Sequence, residues 1–341
     1  MTAFSDTDIL YMRRAISLAR LGLYATSPNP MVGAVIVAEG KIIGEGYHQR
    51  YGGPHAEVNA IADAESRGHG SLLPAATIYV SLEPCAHHGK TPPCADLIVG
   101  KGIRRAVVAC LDPYGKVNGK GVERLREAGV NTTVGCCEEE AKALNRKFFT
   151  AHTLRRPFIS LKWAQSTDGF IDHARTHDNP LPFRFSSPLT TALAHRQRAL
   201  HDAILVGSGT VIADNPTLTV RHWSGRNPLR VVIDRRHRLS GREAVFNGDA
   251  PTLSYDLPLS DVLADLYEHQ NVTSLLVEGG TAILQDFIDN GLFDDILIEV
   301  TSHILGNGIL SPKLTKNVVH FSEMSFSKNK LLVFRRQEIP K

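Results

Sequence analysis

His55-Ala56-Glu57 and, further on, Pro84-Cys85-Ala86-His87-His88-Gly89-Lys90-Thr91-Pro92-Pro93-Cys94 decide how this chain is read. His55, Cys85 and Cys94 are ligands of the kind Zn²⁺ prefers, and three protein ligands leave the fourth tetrahedral position to water. Water held there is acidified from a pKa of about 15.7 toward roughly 7. Glu57 sits two residues from the first ligand, where a carboxylate can move protons without binding the metal. The competing reading is a structural zinc knot closed by His87 or His88. Such a site uses four protein ligands and needs no glutamate beside the first.

The flanking residues place these groups on elements that can converge. Thr77 to Leu82 is a short apolar, β-branched run ending at Glu83-Pro84, so it predicts a buried strand with Cys85 just past its end. Cys94 follows two prolines and opens a helix through Val99. Pro54 precedes a helix from His55 whose first turn carries both the ligand and the acid/base residue. A histidine with a glutamate two residues on, followed by Pro-Cys and a further Cys, is the sequence form of a zinc deaminase site.

Simple nucleobase deaminases space their cysteines C-x-x-C, whereas here eight residues separate Cys85 from Cys94. Together with Pro28-Asn29-Pro30-Met31-Val32-Gly33, Gly44-Glu45-Gly46-Tyr47-His48 and Glu83-Pro84-Cys85, this wider spacing resembles the deaminase half of the bifunctional deaminase/reductase family of riboflavin biosynthesis. The resemblance implies a cytidine-deaminase-like three-layer α/β domain. It also implies that Asn29 reads the pyrimidine edge and that His48, Lys90 and Asp112 lie on the substrate side, Lys90 at a phosphate. Structurally, Asn29 between two prolines equally fits a turn former.

Length and composition bound the rest. With 341 residues, the chain exceeds one such domain, and a prior of about 100–200 residues per domain suggests two. Hydrophobic residues at 43% and charged residues at 21% describe an ordinary globular protein. A net charge of +3 argues against a nucleic-acid partner, although local arginines can still hold a phosphorylated small molecule. No secretory signal and no apolar run of about 18 residues is read, so no membrane partner is expected and the expected compartment is the cytoplasm. Cys110, Cys136 and Cys137 read as reduced thiols. A homo-oligomer, dimer or tetramer, is the expected assembly.

Along the first half, apolar and helical stretches alternate as an α/β fold requires. Ser5 caps a helix bearing Ile9, Met12, Ile16 and Ala19 on one face; Met31–Ala38 and Lys41–Ile43 follow as strands. Later elements are strands at Arg105–Cys110 and Val130–Val134 and helices at Val122–Ala128 and Glu138–Phe149. The boundary falls at Arg155-Arg156-Pro157, because proline disfavours helix for the residue before it. A zinc deaminase domain is thus expected over 1–153 and a second domain over 154–341.

The second half offers strands at Phe158–Ala164, Ala203–Val206, Leu229–Ile233 and Ser274–Val277. Two of them run into glycines and a helix start, Gly207-Ser208-Gly209-Thr210 and Glu278-Gly279-Gly280-Thr281, where backbone N–H groups can meet a dinucleotide's phosphates. Neither is a full G-x-G-x-x-G, and tight strand-to-helix turns use glycine without any ligand as well. In order, these segments resemble the reductase half of the same family, which implies a dihydrofolate-reductase-like fold and NADPH. Lys162, Ser166-x-Asp168-Gly169, Asp214-x-Pro216, Leu218-Thr219-Val220-Arg221 and Glu278-Gly279-Gly280 match its pattern.

The resemblance implies Lys162 and Asp214 as catalytic residues, with Arg198, Leu218, Arg221 and Glu278 on the substrate. It places Gln165, Arg184, Thr210, Asp214, Arg235, Gly280 and Thr281 at the cofactor. A guanidinium matches phosphate oxygens in fork geometry, which suits Arg198 and Arg221 to a sugar phosphate. Arg235 and Arg236 are candidates for the cofactor's 2′-phosphate, or equally a charged hairpin end. Trp163, His173, His177 and His195 read as packing or surface residues. One stretch departs: Leu181-Pro182-Phe183-Arg184-Phe185-Ser186-Ser187-Pro188 replaces a Glu-Ser-x-Trp-Ile-like segment, with Pro182 and Arg184 at the serine and tryptophan positions.

The expected activity is therefore zinc-dependent hydrolytic deamination of 2,5-diamino-6-(5-phosphoribosylamino)pyrimidin-4(3H)-one, then NADPH reduction of the ribosyl group to ribityl. The alternatives are a deaminase whose second half has lost or changed its reductase, a deaminase of another base or of RNA, and a non-catalytic zinc-stabilised binding protein.

Overall fold

A computed structural model describes residues 4–86, 92–115 and 118–337. The chain divides into two compact units, Met1–Arg155 and Arg156–Lys341.

The first unit begins where Ser5 Oγ accepts from Asp8 N at 3.1 Å and Asp8 accepts in return from Ser5 N, a capping box that starts α1 (Asp6–Ala19). Then follow β1 (Gly33–Ala38), β2 (Lys41–Tyr47), α2 (Ala56–Ser66), β3 (Thr77–Val80), α3 (Cys94–Gly100), β4 (Arg105–Val108), α4 (Lys120–Glu127) and β5 (Asn131–Val134). Two short helices, α5 (Glu138–Leu144) and α6 (Arg146–Leu154), close it. The strands form one sheet in the order β2-β1-β3-β4-β5, β1 antiparallel to both neighbours and β3, β4 and β5 mutually parallel.

Period-two alternation gives the sheet two apolar faces. Ala34, Ile36, Ile78 and Ala106 pack with Ala60 and Ile61 of α2, Ile98 of α3 and Leu125 of α4. Val35, Val37, Tyr79 and Val107 pack with Met12 and Ile16 of α1, Ala141 of α5 and Phe148 of α6. The result is the expected three layers. Gly46 lets α2 lie hard on the sheet, since a Cβ there would come within 2.3 Å of Ala60 N. That approach fixes the end of α2 which carries His55 and Glu57.

The single helix expected over Glu138–Phe149 is two, broken at Asn145. Its Oδ1 accepts from Met31 N at 2.9 Å and its Nδ2 donates to Met31 O at 2.8 Å, a long-range pairing that helical periodicity does not encode. This also keeps Met31 out of β1, which starts at Gly33.

The second unit contains β6 (Phe158–Gln165), β7 (Phe170–Asp172), α7 (Pro188–Ala199), β8 (Ala203–Gly207), α8 (Ser208–Asp214), β9 (Leu229–Ile233), β10 (Thr252–Tyr255) and α9 (Leu259–Glu268). β11 (Ser274–Glu278), α10 (Thr281–Asp289), β12 (Asp295–Thr301), β13 (Ile309–Leu310), β14 (Val318–Phe326) and β15 (Asn329–Arg336) complete it. Its main sheet runs β10-β9-β8-β11-β6-β12-β15-β14, parallel from β10 to β12 and antiparallel beyond. Leu161, Leu205, Val277 and Ile296 meet Val262, Leu266, Leu284 and Phe287 of α9 and α10 on one face. Ile204, Val206 and Leu276 meet Val211 of α8 on the other. The two glycine-bearing turns therefore follow adjacent parallel strands, at the carboxyl end of the sheet where open α/β folds bind ligands. Among the described residues no helix is long and apolar enough to cross a membrane.

Candidate active sites

In the first unit, His55 is the N-cap of α2 rather than part of its first turn, and Glu57 is the helix's second residue. Cys94 is the first residue of α3, and Cys85 lies in the loop after β3. The loop closes on itself through Ala95 N to Cys85 O at 3.2 Å and Cys94 N to Cys85 Sγ at 3.4 Å. His55 Nδ1 stands 3.6 Å from Cys85 Sγ and 3.4 Å from Cys94 Sγ, and all three atoms lie within 4.8 Å of one another. A tetrahedral Zn²⁺ with bonds of about 2.3 Å to sulfur and about 2.0 Å to nitrogen holds N and S ligands about 3.5 Å apart. The donor set thus fits the ion. Among the described residues no other group of three such donors occurs. His87, His88 and Lys90 lie outside the described residues.

Glu57 is 3% exposed and is not one of the three donors, although its carboxyl hydrogen-bonds with Cys94 beside them. Burial pushes its carboxyl up to about 7, against the pull of His55, and a dication on His55 would add to that pull. His48 and Asn29 form a pair behind it. His48 Nδ1 is 3.0 Å from the Pro54 carbonyl, which can only accept, so Nδ1 carries the proton. Burial holds the ring below the usual histidine range, so Nε2 is left to accept from Asn29 Nδ2 at 3.2 Å. Asn29 thereby keeps Oδ1 for other partners. The loop that carries Asp112 is tied down by Glu83, whose carboxylate accepts from Asp112 N, Gly119 N, Gly121 N and Val122 N at 2.8–3.2 Å. Burial raises Asp112 itself to about 6. Glu83 appeared in the sequence only as a motif letter; the signal for its role is that the N-cap of α4 is Gly119, which has no side chain to cap with.

In the second unit a cavity of about 1010 Å³ opens at the ends of β8 and β11. Its wall holds Lys162, Asp214, Arg198, Leu218, Glu278, Arg184, Thr210, Arg235, Gly280 and Thr281, so most of the expected residues come together. Thr210 Oγ1 accepts from Gly280 N at 3.0 Å, which joins the two glycine turns directly. Lys162 lies within β6, in register with Glu278. Burial works against the charge of Glu278, yet Arg198 and Lys162 outweigh it and hold the carboxyl below its ordinary range. Glu278 Oε2 accepts from Arg198 Nη2 at 2.7 Å, while Oε1 is buried with no hydrogen-bond partner among the described residues. An orphaned acceptor on a cavity wall is where a ligand hydroxyl fits.

Other placements differ from expectation. Gln165 is not on the cavity wall; its Oε1 accepts from Trp163 Nε1 at 2.7 Å. Arg221 also lies off that wall, its guanidinium on Thr217 and Thr219. Arg198 is not a free fork, since it donates to Glu278 and to the Thr219 carbonyl. Ser166 and Asp168 organise a turn: Asp168 accepts from Leu305 N at 3.1 Å and Gly306 N at 2.7 Å, and Gly169 takes φ +86°. His195 is a buried structural residue whose Nδ1 accepts from Arg221 N at 3.0 Å.

The divergent stretch is a built part of the wall, lined by Pro182 through Ser186. Phe183 packs on Phe185 at 4.8 Å and on His303 at 5.3 Å. Buried Glu299 accepts from Ser186 Oγ at 2.6 Å and from Asn329 Nδ2 at 2.5 Å. Sequence reasoning missed Arg175, which lies on the wall between Asp172 and Asp214, and Arg238, which donates to Ser208 Oγ at 2.9 Å beside Arg235 and Arg236. Both sit in irregular loops, where no periodicity points to them.

A three-ligand zinc site with a buried acid/base carboxylate, followed by a doubly covered parallel sheet with paired glycine turns, defines a hydrolytic deaminase joined to a reductase. Residues 5–110 match the family described as the cytidine and deoxycytidylate deaminase zinc-binding region, and residues 157–329 match the RibD C-terminal domain. The chain is 40% identical over 328 residues to the riboflavin biosynthesis protein RibD of Aquifex aeolicus, covering 89% of each. It is 35% identical to that of Escherichia coli, covering 88% of this chain and 89% of the other. A solved diaminohydroxyphosphoribosylaminopyrimidine deaminase/5-amino-6-(5-phosphoribosylamino)uracil reductase from Thermotoga maritima superposes with a TM-score of 0.87 at 37% identity, covering 97% of this chain and 99% of that one. The chain belongs to the RibD family, and it is a bifunctional deaminase and reductase of riboflavin biosynthesis with Zn²⁺ and NADPH as cofactors. The reading as a deaminase with a disabled second half is not favoured.

Proposed function

We propose that the first domain, over 1–153, deaminates 2,5-diamino-6-(5-phosphoribosylamino)pyrimidin-4(3H)-one to the corresponding uracil. The second, over 154–341, reduces its ribosyl group to ribityl. The observation that carries this reading is the His55, Cys85 and Cys94 donor triangle with Glu57 buried beside it, on one chain with a cavity built on Thr210 and Gly280. When bound, zinc supplies an activated water as nucleophile at the amino-bearing carbon. Glu57 would move two protons in turn, the first from the attacking water to a ring nitrogen and the second from the added hydroxyl to the amine, which leaves as ammonia as the C=O forms. Asn29 Oδ1, left over by His48, reads a donor on the ring edge, Asp112 faces the same substrate, and Lys90 serves its phosphate.

NADPH supplies a hydride to C1′ of the opened sugar. Lys162 offers a fixed ammonium to the polarised C=O or C=N, and Glu278 Oε1 accepts from a sugar hydroxyl. The first turn of α10 after Gly280 faces the cofactor's pyrophosphate, with Thr210, Thr281 and Arg184 around it. Arg235, with Arg236 and Arg238, suits the 2′-phosphate, while Arg198, held by Glu278 and the Thr219 carbonyl, fixes Glu278 on the cavity wall instead of gripping a phosphate itself. Asp214 holds the cofactor ribose and substrate hydroxyls. We further infer a cytoplasmic homo-oligomer, dimer or tetramer, which light scattering on the purified chain and fractionation of cells check.

A coupled assay on the phosphoribosyl diaminopyrimidine tests the main reading. Ammonia release should occur without NADPH, and NADPH oxidation should follow only once deaminated product is present. Absence of either activity in zinc-loaded protein refutes the corresponding half.

A further inference from the structure

The segment joining β7 to α7 forms the part of the cavity wall that departs from the family pattern, and its anchoring centres on one arginine. Asp172, 5% exposed at the end of β7, accepts from His173 N at 2.9 Å and Phe183 N at 2.8 Å through Oδ1. Its Oδ2 accepts from Arg175 Nε at 2.7 Å. Arg175 reaches onward from there. Its Nη1 donates to the Ala213 carbonyl at 2.8 Å and its Nη2 to Asp214 Oδ1.

One guanidinium is thus shared by two carboxylates and a helix-end carbonyl, and Asp172, Arg175, Ala213 and Asp214 all line the cavity. The side chain of Arg175 is 22% exposed and that of Asp214 34%, so the network runs from the buried Asp172 to the solvent-facing edge of the cavity, and three hydrogen bonds hold the guanidinium in place. A planar fork held at three points fixes the orientation of what it holds. With Oδ1 engaged by Arg175, Asp214 on the cavity wall has Oδ2 left to accept from a ligand.

We propose that Arg175 is a positioning residue of the reductase: it orients the Asp214 carboxylate toward the ribose hydroxyls and clasps the 173–187 wall to the end of α8. The proposal rests on the role given to Asp214 above. Lysine cannot replace arginine here, because a single ammonium cannot span both carboxylates and the Ala213 carbonyl at once.

The test uses the full chain, with deamination by the same molecule as the internal control for folding. Arg175→Ala is expected to lower kcat/KM for NADPH-dependent reduction about tenfold or more, with kcat falling, while deamination stays at the wild-type value; a lower melting temperature of the second unit accompanies the loss because Asp172 is left without its cation. Arg175→Lys should recover only part of the loss. Asp214→Asn should impair reduction, and the double variant Arg175→Ala/Asp214→Asn should be no worse than the poorer single one, since both remove the same contact. If Asp214→Asn reduces normally, the role of Asp214 fails and this proposal with it. If Asp214→Asn is impaired but Arg175→Ala is not, or the two losses multiply, or Arg175→Ala lowers only the melting temperature, the proposal alone is overturned.

Discussion

His48 Nε2 lies 3.2 Å from Asn29 Nδ2, so a buried imidazole decides which end of the Asn29 amide is left for a substrate. Removing the ring strands the Asn29 donor and the Pro54 carbonyl, at a cost of about 1–3 kcal/mol when such groups stay buried. His48→Ala should raise KM for the pyrimidine roughly tenfold or more, the rate equivalent of about 1.4 kcal/mol, with zinc content unchanged. Steady-state deamination beside metal analysis checks this. Wild-type KM in that variant would show that Asn29 needs no such support.

Glu57→Gln should keep stoichiometric zinc, because Glu57 is not among the three donors, yet lose about 10²-fold or more in deamination. Ammonia release close to the wild-type rate would remove Glu57 from its acid/base role.

Each unit has its own apolar core, so the two activities should separate. Cys85→Ser, or treatment with a strong chelator, is expected to abolish deamination and leave reduction of pre-deaminated substrate intact. Readdition of Zn²⁺ should restore only the chelated wild type. Loss of both activities in folded protein would contradict the separation.

Gly121 is a packing requirement of the first unit. A Cβ there would lie 1.8 Å from Pro84 O and 3.0 Å from Pro84 C, both backbone atoms of the residue before the ligand Cys85. Gly121→Ala should therefore destabilise this unit by about 1–3 kcal/mol, the usual scale of overpacking, and reduce deamination. Differential scanning calorimetry should show a lower transition for this unit while reduction persists; an unshifted transition would contradict the contact.

Stability of the second unit should depend on pH through His195. Burial first, then the nearby Arg198 and Arg221 cations, depress its pKa to about 4. Between that value and the ordinary one of about 6.5, the unfolded chain binds the proton and the folded one does not. The stabilisation is therefore complete above about pH 6.5 and is lost as pH falls toward about 4. Its upper size is on the order of 3 kcal/mol. Thermal melts of wild type should lose stability more steeply than those of His195→Gln as pH falls from about 6.5 toward 4, with the two running parallel above about pH 6.5; curves parallel throughout would assign the acid sensitivity elsewhere.

The metal triangle, the acid/base glutamate and the two strand-glycine-helix turns were legible in the chain because each rests on short-range signals. These are ligand type, spacing, a β-branched run, or a proline before a helix. The helix break at Asn145 was not legible, since the partner that interrupts the periodicity is Met31, far away in sequence.

What sequence alone determined, then, is which residue types reach each site: His55, Glu57, Cys85 and Cys94 in one unit, Lys162, Thr210, Asp214 and Glu278 in the other. What only the tertiary structure decided is how side chains from distant segments use up one another's hydrogen-bonding capacity. Gln165 is spent on Trp163, and Arg198 on Glu278. Glu83 caps a helix that has no cap of its own, and Arg175 reaches Asp214 from an irregular loop. Hydrophobic period and turn chemistry are local properties of a chain, whereas a buried donor takes whichever acceptor the packed fold brings near it.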